Sequence, residues 1–183
     1  MNLVNRLTIL RIVMVPVFIG CLYYYSSERI YFYWIAVAVF LLACLTDAAD
    51  GYIARKYNQK TELGGYIDPI ADKILLTAGF LTLSFMAHLP EAMRIPAWVT
   101  ISVITRDVII VIGAVIVFIS TGHLKPDPLW VGKVTTVFQM LTLLLSLLDA
   151  SHALRYIFYV ATVFLTVFSG VRYVRIGGEL LNK

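Results

Sequence analysis

The chain has 183 residues, 60% of them hydrophobic and 14% charged, with a mean hydropathy of +0.84 and a formal net charge of +4. A soluble domain is about 45–50% apolar and about 25% charged, so an ordinary soluble enzyme, a disordered tail and a disulfide scaffold are excluded. The basic residues lie at the ends of apolar segments rather than in a patch, which argues against nucleic acid as a partner and for the loops of an integral membrane protein.

A membrane-spanning helix needs about 20 mostly apolar residues, and six such segments follow one another along the chain. The first covers residues 7–25. It is too long for a signal-peptide core, and no small-residue cleavage site follows it. The second runs over residues 30–46 and continues as a polar stretch to Lys56; the third covers 64–88, the fourth 96–120, the fifth 130–148 and the sixth 153–175. Turn-forming clusters separate them: Ser26-Ser27-Glu28, Tyr57-Asn58-Gln59-Lys60, Leu89-Pro90-Glu91 and Lys125-Pro126-Asp127-Pro128. The segments are continuously apolar, whereas barrel strands alternate. The expected fold is therefore an all-α integral membrane protein, a single six-helix domain over residues 1–183. Cys21 and Cys44 lie within apolar segments and are not expected to pair.

Lysine and arginine orient the bundle. With the N-terminus inside, one side holds Arg6, Arg11, Arg55, Lys56, Lys60, Lys73, Lys125, Lys133, Arg172, Arg175 and Lys183. The other holds Arg29, Arg94 and Arg155, and Arg106 falls within a span. That bias puts both termini in the cytoplasm.

The chemistry concentrates in Asp47-Ala48-Ala49-Asp50-Gly51-Tyr52-Ile53-Ala54-Arg55 and Gly64-Gly65-Tyr66-Ile67-Asp68-Pro69-Ile70-Ala71-Asp72-Lys73. Asp47, Asp50, Gly51 and Ala54 follow i, i+3, i+4, i+7, one face of a helix; Gly64, Asp68 and Asp72 follow i, i+4, i+8, again one face. A short connection makes the two helices antiparallel neighbours, so both faces can converge at the cytoplasmic membrane surface. Four converging carboxylates need counter-charge, and an oxygen-only site suits Mg²⁺ or Mn²⁺. Such ions work with phosphates, and two of them about 3.5–4 Å apart clamp an in-line phosphoryl displacement. Gly51 and Gly64 remove bulk beside the carboxylates, and Arg55 can bind phosphate oxygens bidentately. A single Asp at a helix end is usually a cap and a single Gly in a membrane helix usually a packing site. Eight positions fitting one arrangement carry more weight than any of them alone.

The pattern D-x-x-D-G-x-x-A-R-(x)8-G-x-x-x-D-x-x-x-D, matched at Asp47, Asp50, Gly51, Ala54, Arg55, Gly64, Asp68 and Asp72, resembles the signature of the CDP-alcohol phosphatidyltransferases. The length, the six spans and the segment Asn2 to Thr8 extend the resemblance over essentially the whole chain; Val4 stands where the family usually has Pro. The resemblance implies transfer of a phosphatidyl group from CDP-diacylglycerol to an alcohol with release of CMP. It implies Asp47, Asp50, Asp68 and Asp72 as ligands of two divalent metal ions, and Asp72 also as the base that takes the acceptor's proton. Asp50, Gly51, Ala54, Arg55, Gly64 and Asp68 would bind the CDP-lipid. A homodimer is implied as well.

The acceptor is read from the second half. Arg106-Asp107, Gly132-Lys133 with Gln139, and Arg172 supply cations that suit an anionic acceptor, so Arg106, Lys133 and Arg172 are the expected acceptor-binding residues. An intramembrane Arg106 should line a polar cavity and pair with a carboxylate. Arg175, like the other basic residues near span ends, can instead snorkel to the interface. Asn2 to Thr8, Asp68 to Lys73 and Gly132-Lys133 with Gln139 resemble phosphatidylglycerophosphate synthases, whose acceptor is glycerol 3-phosphate. Asp107 and Thr135 depart from the Glu and Lys usual there. Arg106-Asp107-Val108 and Leu124-Lys125-Pro126 are similar to cardiolipin synthases, whose acceptor is phosphatidylglycerol. An ion-coupled transporter would need carboxylates near mid-membrane and repeated halves, and an aromatic prenyltransferase more spans than this chain holds.

Overall fold

A computed structural model describes the backbone of residues 3–56, 62–121 and 130–181, and the side chains of residues 9–47, 73–117, 119–120 and 130–179. Six α-helices follow in order: α1 Leu3–Tyr24, α2 Ile30–Lys56, α3 Glu62–Phe85, α4 Ala97–Thr121, α5 Trp130–Leu147 and α6 His152–Leu181, with a 3-10 turn at Glu91–Met93. No strand occurs among the described residues. Helices satisfy every backbone group internally, which is what a bilayer demands. The stretches Ile30–Asp47, Glu91–Val117, Trp130–Leu147 and His152–Glu179 are long and apolar enough to cross one; α1 and α3 hold the shorter apolar stretches Ile9–Tyr24 and Lys73–Phe85 within their described side chains. The molecule is an all-α, multi-pass membrane protein.

The helix bounds follow the expected spans with two extensions. α1 begins four residues ahead of Leu7, and α6 runs six residues beyond Arg175. Hydropathy reports where lipid contact ends, and a helix continues past that point until something terminates it.

The chain forms two compact units, residues 1–94 and 95–183. In the first, α1 packs against both α2 and α3. The core is apolar: Phe18 and Leu22 from α1, Ala36, Phe40 and Ala43 from α2, and Leu75, Phe80 and Leu83 from α3 are all buried. The Phe18 and Phe40 rings stand 5.8 Å apart. At the turn between α1 and α2, Tyr23, Tyr24, Tyr25, Tyr31, Phe32, Tyr33 and Trp34 make a run of ring contacts, the composition of a membrane–water interface. His88 Nε2 donates to the Leu22 carbonyl at 2.9 Å, and Arg94 Nε donates to the Leu89 carbonyl just beyond α3. The first charged residue of α2 after Ile30 is Asp47. At 1.5 Å per residue that is about 25 Å from Ile30, close to the thickness of the hydrocarbon layer, so Asp47 lies at the opposite membrane edge from the aromatic belt.

In the second unit α6 packs against α4 and α5. Thr135, Gln139, Thr142 and Ser146 on α5 are buried, as are Tyr159, Thr162, Thr166 and Ser169 on α6. Both sets recur at helical spacing and face each other. Thr142 and Thr162 share a hydrogen bond of 2.7 Å, Ser146 and Tyr159 one of 2.9 Å, and Thr135 Oγ1 donates to Val131 O and reaches Leu165 O at 3.3 Å. In lipid, helices are joined by close packing and by interhelical hydrogen bonds, and this hydroxyl seam adds the second to the first. α5 ends in a Schellman motif. Asp149 adopts φ 49°, Asp149 N donates to Ser146 O and Ala150 N to Leu145 O. The turn sends the chain back as α6, where Arg155 lies 3.9 Å from Asp149.

Candidate active site

The expected site begins where the apolar part of α2 ends. α2 carries Asp47, Asp50, Gly51, Ala54 and Arg55 on one unbroken helix, and α3 carries Gly64, Asp68 and Asp72 on another. The helical spacings read from the sequence are therefore real spacings on helices. The connection Tyr57–Thr61 and the side chains of residues 48–72 lie outside the described residues. That includes every signature side chain except Asp47, so the convergence of the carboxylates is not part of the described geometry.

Asp47 itself is informative. Its carboxylate Oδ1 lies 3.3 Å from Nη1 of Arg11, a residue of α1. The arginine side chain is 0% exposed and the aspartate's 31%. Arg11, one of the basic residues that orient the bundle, is sealed inside the helix packing, with its guanidinium turned to the first signature carboxylate. Such a cation is expensive in a membrane helix and points to function. The signal was present in the sequence as one arginine flanked by Ile9, Leu10, Ile12 and Val13. The donor set of the signature consists of carboxylate oxygens, with the Asp47 side chain about one-third exposed, and this fits a hard divalent cation.

Of the three expected acceptor-binding cations, Arg106 is buried while Lys133 and Arg172 are exposed. Arg106 Nη1 donates to Asp107 Oδ1 at 2.7 Å and Nη2 donates to Ser169 Oγ at 2.8 Å. Its guanidinium carbon stands 5.7 Å from the centre of the Tyr173 ring. Its Nε has no hydrogen-bond partner among the described residues. The predicted carboxylate partner is thus Asp107. Beside it, between α4 and α6, lies a groove of about 590 Å³ lined by Arg106 and mainly by Ile101, Ile109, Val167, Val171 and Val174. The guanidinium is occupied by Asp107, Ser169 and Tyr173, and the stem runs past Gly170.

Gly132 explains itself at this point. A Cβ there would lie 3.2 Å from Tyr173 Oη and 3.4 Å from Arg106 Nη2. Ser169 and Tyr173 were not singled out in advance. Their signal was the polar series Thr162, Thr166, Ser169, Tyr173 at i, i+4, i+7, i+11 in an otherwise apolar helix. Lys133 and Arg172 make no hydrogen bond or ion pair among the described residues. Leu124-Lys125-Pro126 lies outside them.

The sequence profile of the CDP-alcohol phosphatidyltransferases matches residues 1–168. A probable phosphatidylglycerophosphate synthase of Mycobacterium tuberculosis is 38% identical over 180 residues, covering 94% of this chain and 80% of the relative. A CDP-diacylglycerol–glycerol-3-phosphate 3-phosphatidyltransferase of Pseudomonas fluorescens is 33% identical, covering 96% of this chain and 89% of its own. One of the same name from Salmonella typhimurium is 29% identical, covering 100% and 98%. With the profile matched across both helical units and the whole signature inside the match, the chain belongs to the CDP-alcohol phosphatidyltransferase family.

Proposed function

We propose that this enzyme transfers the phosphatidyl group of CDP-diacylglycerol to glycerol 3-phosphate, forming phosphatidylglycerophosphate and releasing CMP. The observation that carries the acceptor is the coverage of the relatives. The three relatives named above align with 94–100% of this chain, so the likeness extends past the signature into α4, α5 and α6.

Residues 1–183 act as one catalytic domain in this reading. Asp47, Asp50, Asp68 and Asp72 hold two divalent ions, Mg²⁺ or Mn²⁺, which when bound supply charge neutralisation at the transferred phosphate. Asp50, Gly51, Ala54, Arg55, Gly64 and Asp68 bind the CDP-lipid. Asp72 takes the proton of the glycerol 3-phosphate hydroxyl as its oxygen bonds to the phosphatidyl phosphorus and the bond to CMP breaks. Arg106, Lys133 and Arg172 hold the acceptor's phosphate. The lysine and arginine bias supports a cytoplasmic site and cytoplasmic termini, and the resemblance supports a homodimer.

The test is an acceptor panel with labelled CDP-diacylglycerol and purified protein. Phosphatidylglycerophosphate and CMP should appear only when glycerol 3-phosphate is supplied. Cardiolipin made from added phosphatidylglycerol, with no phosphatidylglycerophosphate when glycerol 3-phosphate is present, would replace this reading with the cardiolipin synthase one.

A further inference from the structure

Arg11 and Asp47 form an asymmetric pair. The cation is fully enclosed, the carboxylate is about one-third exposed, and Arg11 is the one partner of Asp47 among the described residues, through Oδ1. A pair that served only to join α1 to α2 is hard to justify on energy. Breaking water contacts to bury a charged pair roughly cancels its attraction, and apolar packing does the same work. Here apolar packing already joins the helices, through Phe18 against Phe40 and through buried Leu22, Ala36 and Ala43. What a guanidinium adds is orientation: a planar, always charged donor that fixes one carboxylate oxygen.

We infer that Arg11 is a positioning residue for phosphoryl transfer. It holds the partly exposed carboxylate of Asp47 from within the helix packing, orienting it toward a divalent cation, and it offsets one negative charge of the signature. This rests on Asp47 being a metal ligand, as proposed above.

The experiment uses the full chain purified in detergent, with thermal unfolding followed in the presence of CMP while Mg²⁺ is titrated. Wild-type protein should gain stability with Mg²⁺. Arg11→Gln should need about tenfold more Mg²⁺ for half the effect, equivalent to about 1.4 kcal/mol. Arg11→Lys keeps the charge and loses the fork, so its midpoint should fall between the two. In an Asp47→Asn background, adding Arg11→Gln should change the Mg²⁺ response no further. A midpoint for Arg11→Gln that equals the wild type, however far its baseline stability drops, makes the pair merely structural and overturns the inference. A midpoint shifted to lower Mg²⁺ overturns it too, because Arg11 would then compete with the cation. Should Arg11→Gln fail to fold, Arg11→Lys decides, and a curve overlaying the wild type refutes the role. No Mg²⁺ response in the wild type removes the metal assignment itself, and this inference with it.

Discussion

Asp107→Ala removes the carboxylate that Arg106 donates to at 2.7 Å. The two side chains are 9% and 12% exposed, so little solvent screens the pair. Removing one partner of a buried pair leaves the other charge uncompensated and costs about 3–5 kcal/mol. Ser169 Oγ and the Tyr173 ring remain on the guanidinium and hold the loss toward the lower end. For a chain of this size each kcal/mol lowers Tm by about 2–4 °C, so Asp107→Ala should unfold about 6–12 °C earlier than wild type. The double variant Arg106→Met/Asp107→Ala should be more stable than Asp107→Ala alone, because no charge is then stranded in the helix packing. Thermal unfolding of the detergent-solubilised variants reads both effects, and turnover of the double variant reads a third. If Arg106 also binds the acceptor, that folded variant should show a KM for glycerol 3-phosphate raised about tenfold or more, the effect of losing a charge-assisted hydrogen bond of about 1.5–3 kcal/mol. A Tm for Asp107→Ala within about 2 °C of wild type would refute the burial argument. A stable double variant with an unchanged KM would end the acceptor role of Arg106.

Chelation should abolish turnover, and Mg²⁺ or Mn²⁺ should restore it; full activity in excess chelator would refute the metal assignment. Asp72→Asn should abolish turnover while CDP-diacylglycerol binding survives in part, measured by CMP release beside a lipid-binding assay, whereas Asp47→Asn should weaken both. Gly132→Ala gains about 1 kcal/mol of helix propensity and loses about 1–3 kcal/mol to crowding at Tyr173 and Arg106, so its Tm should fall only slightly while the KM for glycerol 3-phosphate rises. Lys133→Ala and Arg172→Ala should each raise that KM about tenfold with little change in the KM for CDP-diacylglycerol, and normal kinetics in either would assign that cation to the membrane interface.

The helices were legible because the bilayer restricts the choices. A long apolar segment in lipid has only the helix as a lone solution, so the spans of α2, α4 and α5 could be read to within a few residues from hydropathy. The carboxylate signature was legible for a related reason. Charges at membrane depth are costly, and a spacing that repeats with helical period on both α2 and α3 is improbable without a shared target. Helix ends were harder. α6 runs on past Arg175 through Gly177 and Gly178, because glycine weakens a helix by only about 1 kcal/mol and nothing else there terminates it.

The partners of the cations were not legible, and the reason is geometric. A lysine or arginine near the end of an apolar segment has the same one-dimensional signature whether it snorkels to water or turns inward. Arg175 and Arg172 are exposed, whereas Arg11 has no exposed side-chain surface and Arg106 almost none. What separates them is the polar complement on a neighbouring helix. Arg11 has Asp47, thirty-six positions along the chain, and Arg106 has Ser169, sixty-three positions along. Sequence spacing alone assigns neither pair. Arg106 coincides with small or polar positions on the helices it meets: Gly132, Ser169 and Gly170 surround it. Gly132 and Gly170 leave room for the arginine to reach its acceptors. An arginine inside a membrane helix, matched by a carboxylate or hydroxyl on another helix, is therefore the pattern by which an inward cation is distinguished from an interfacial one.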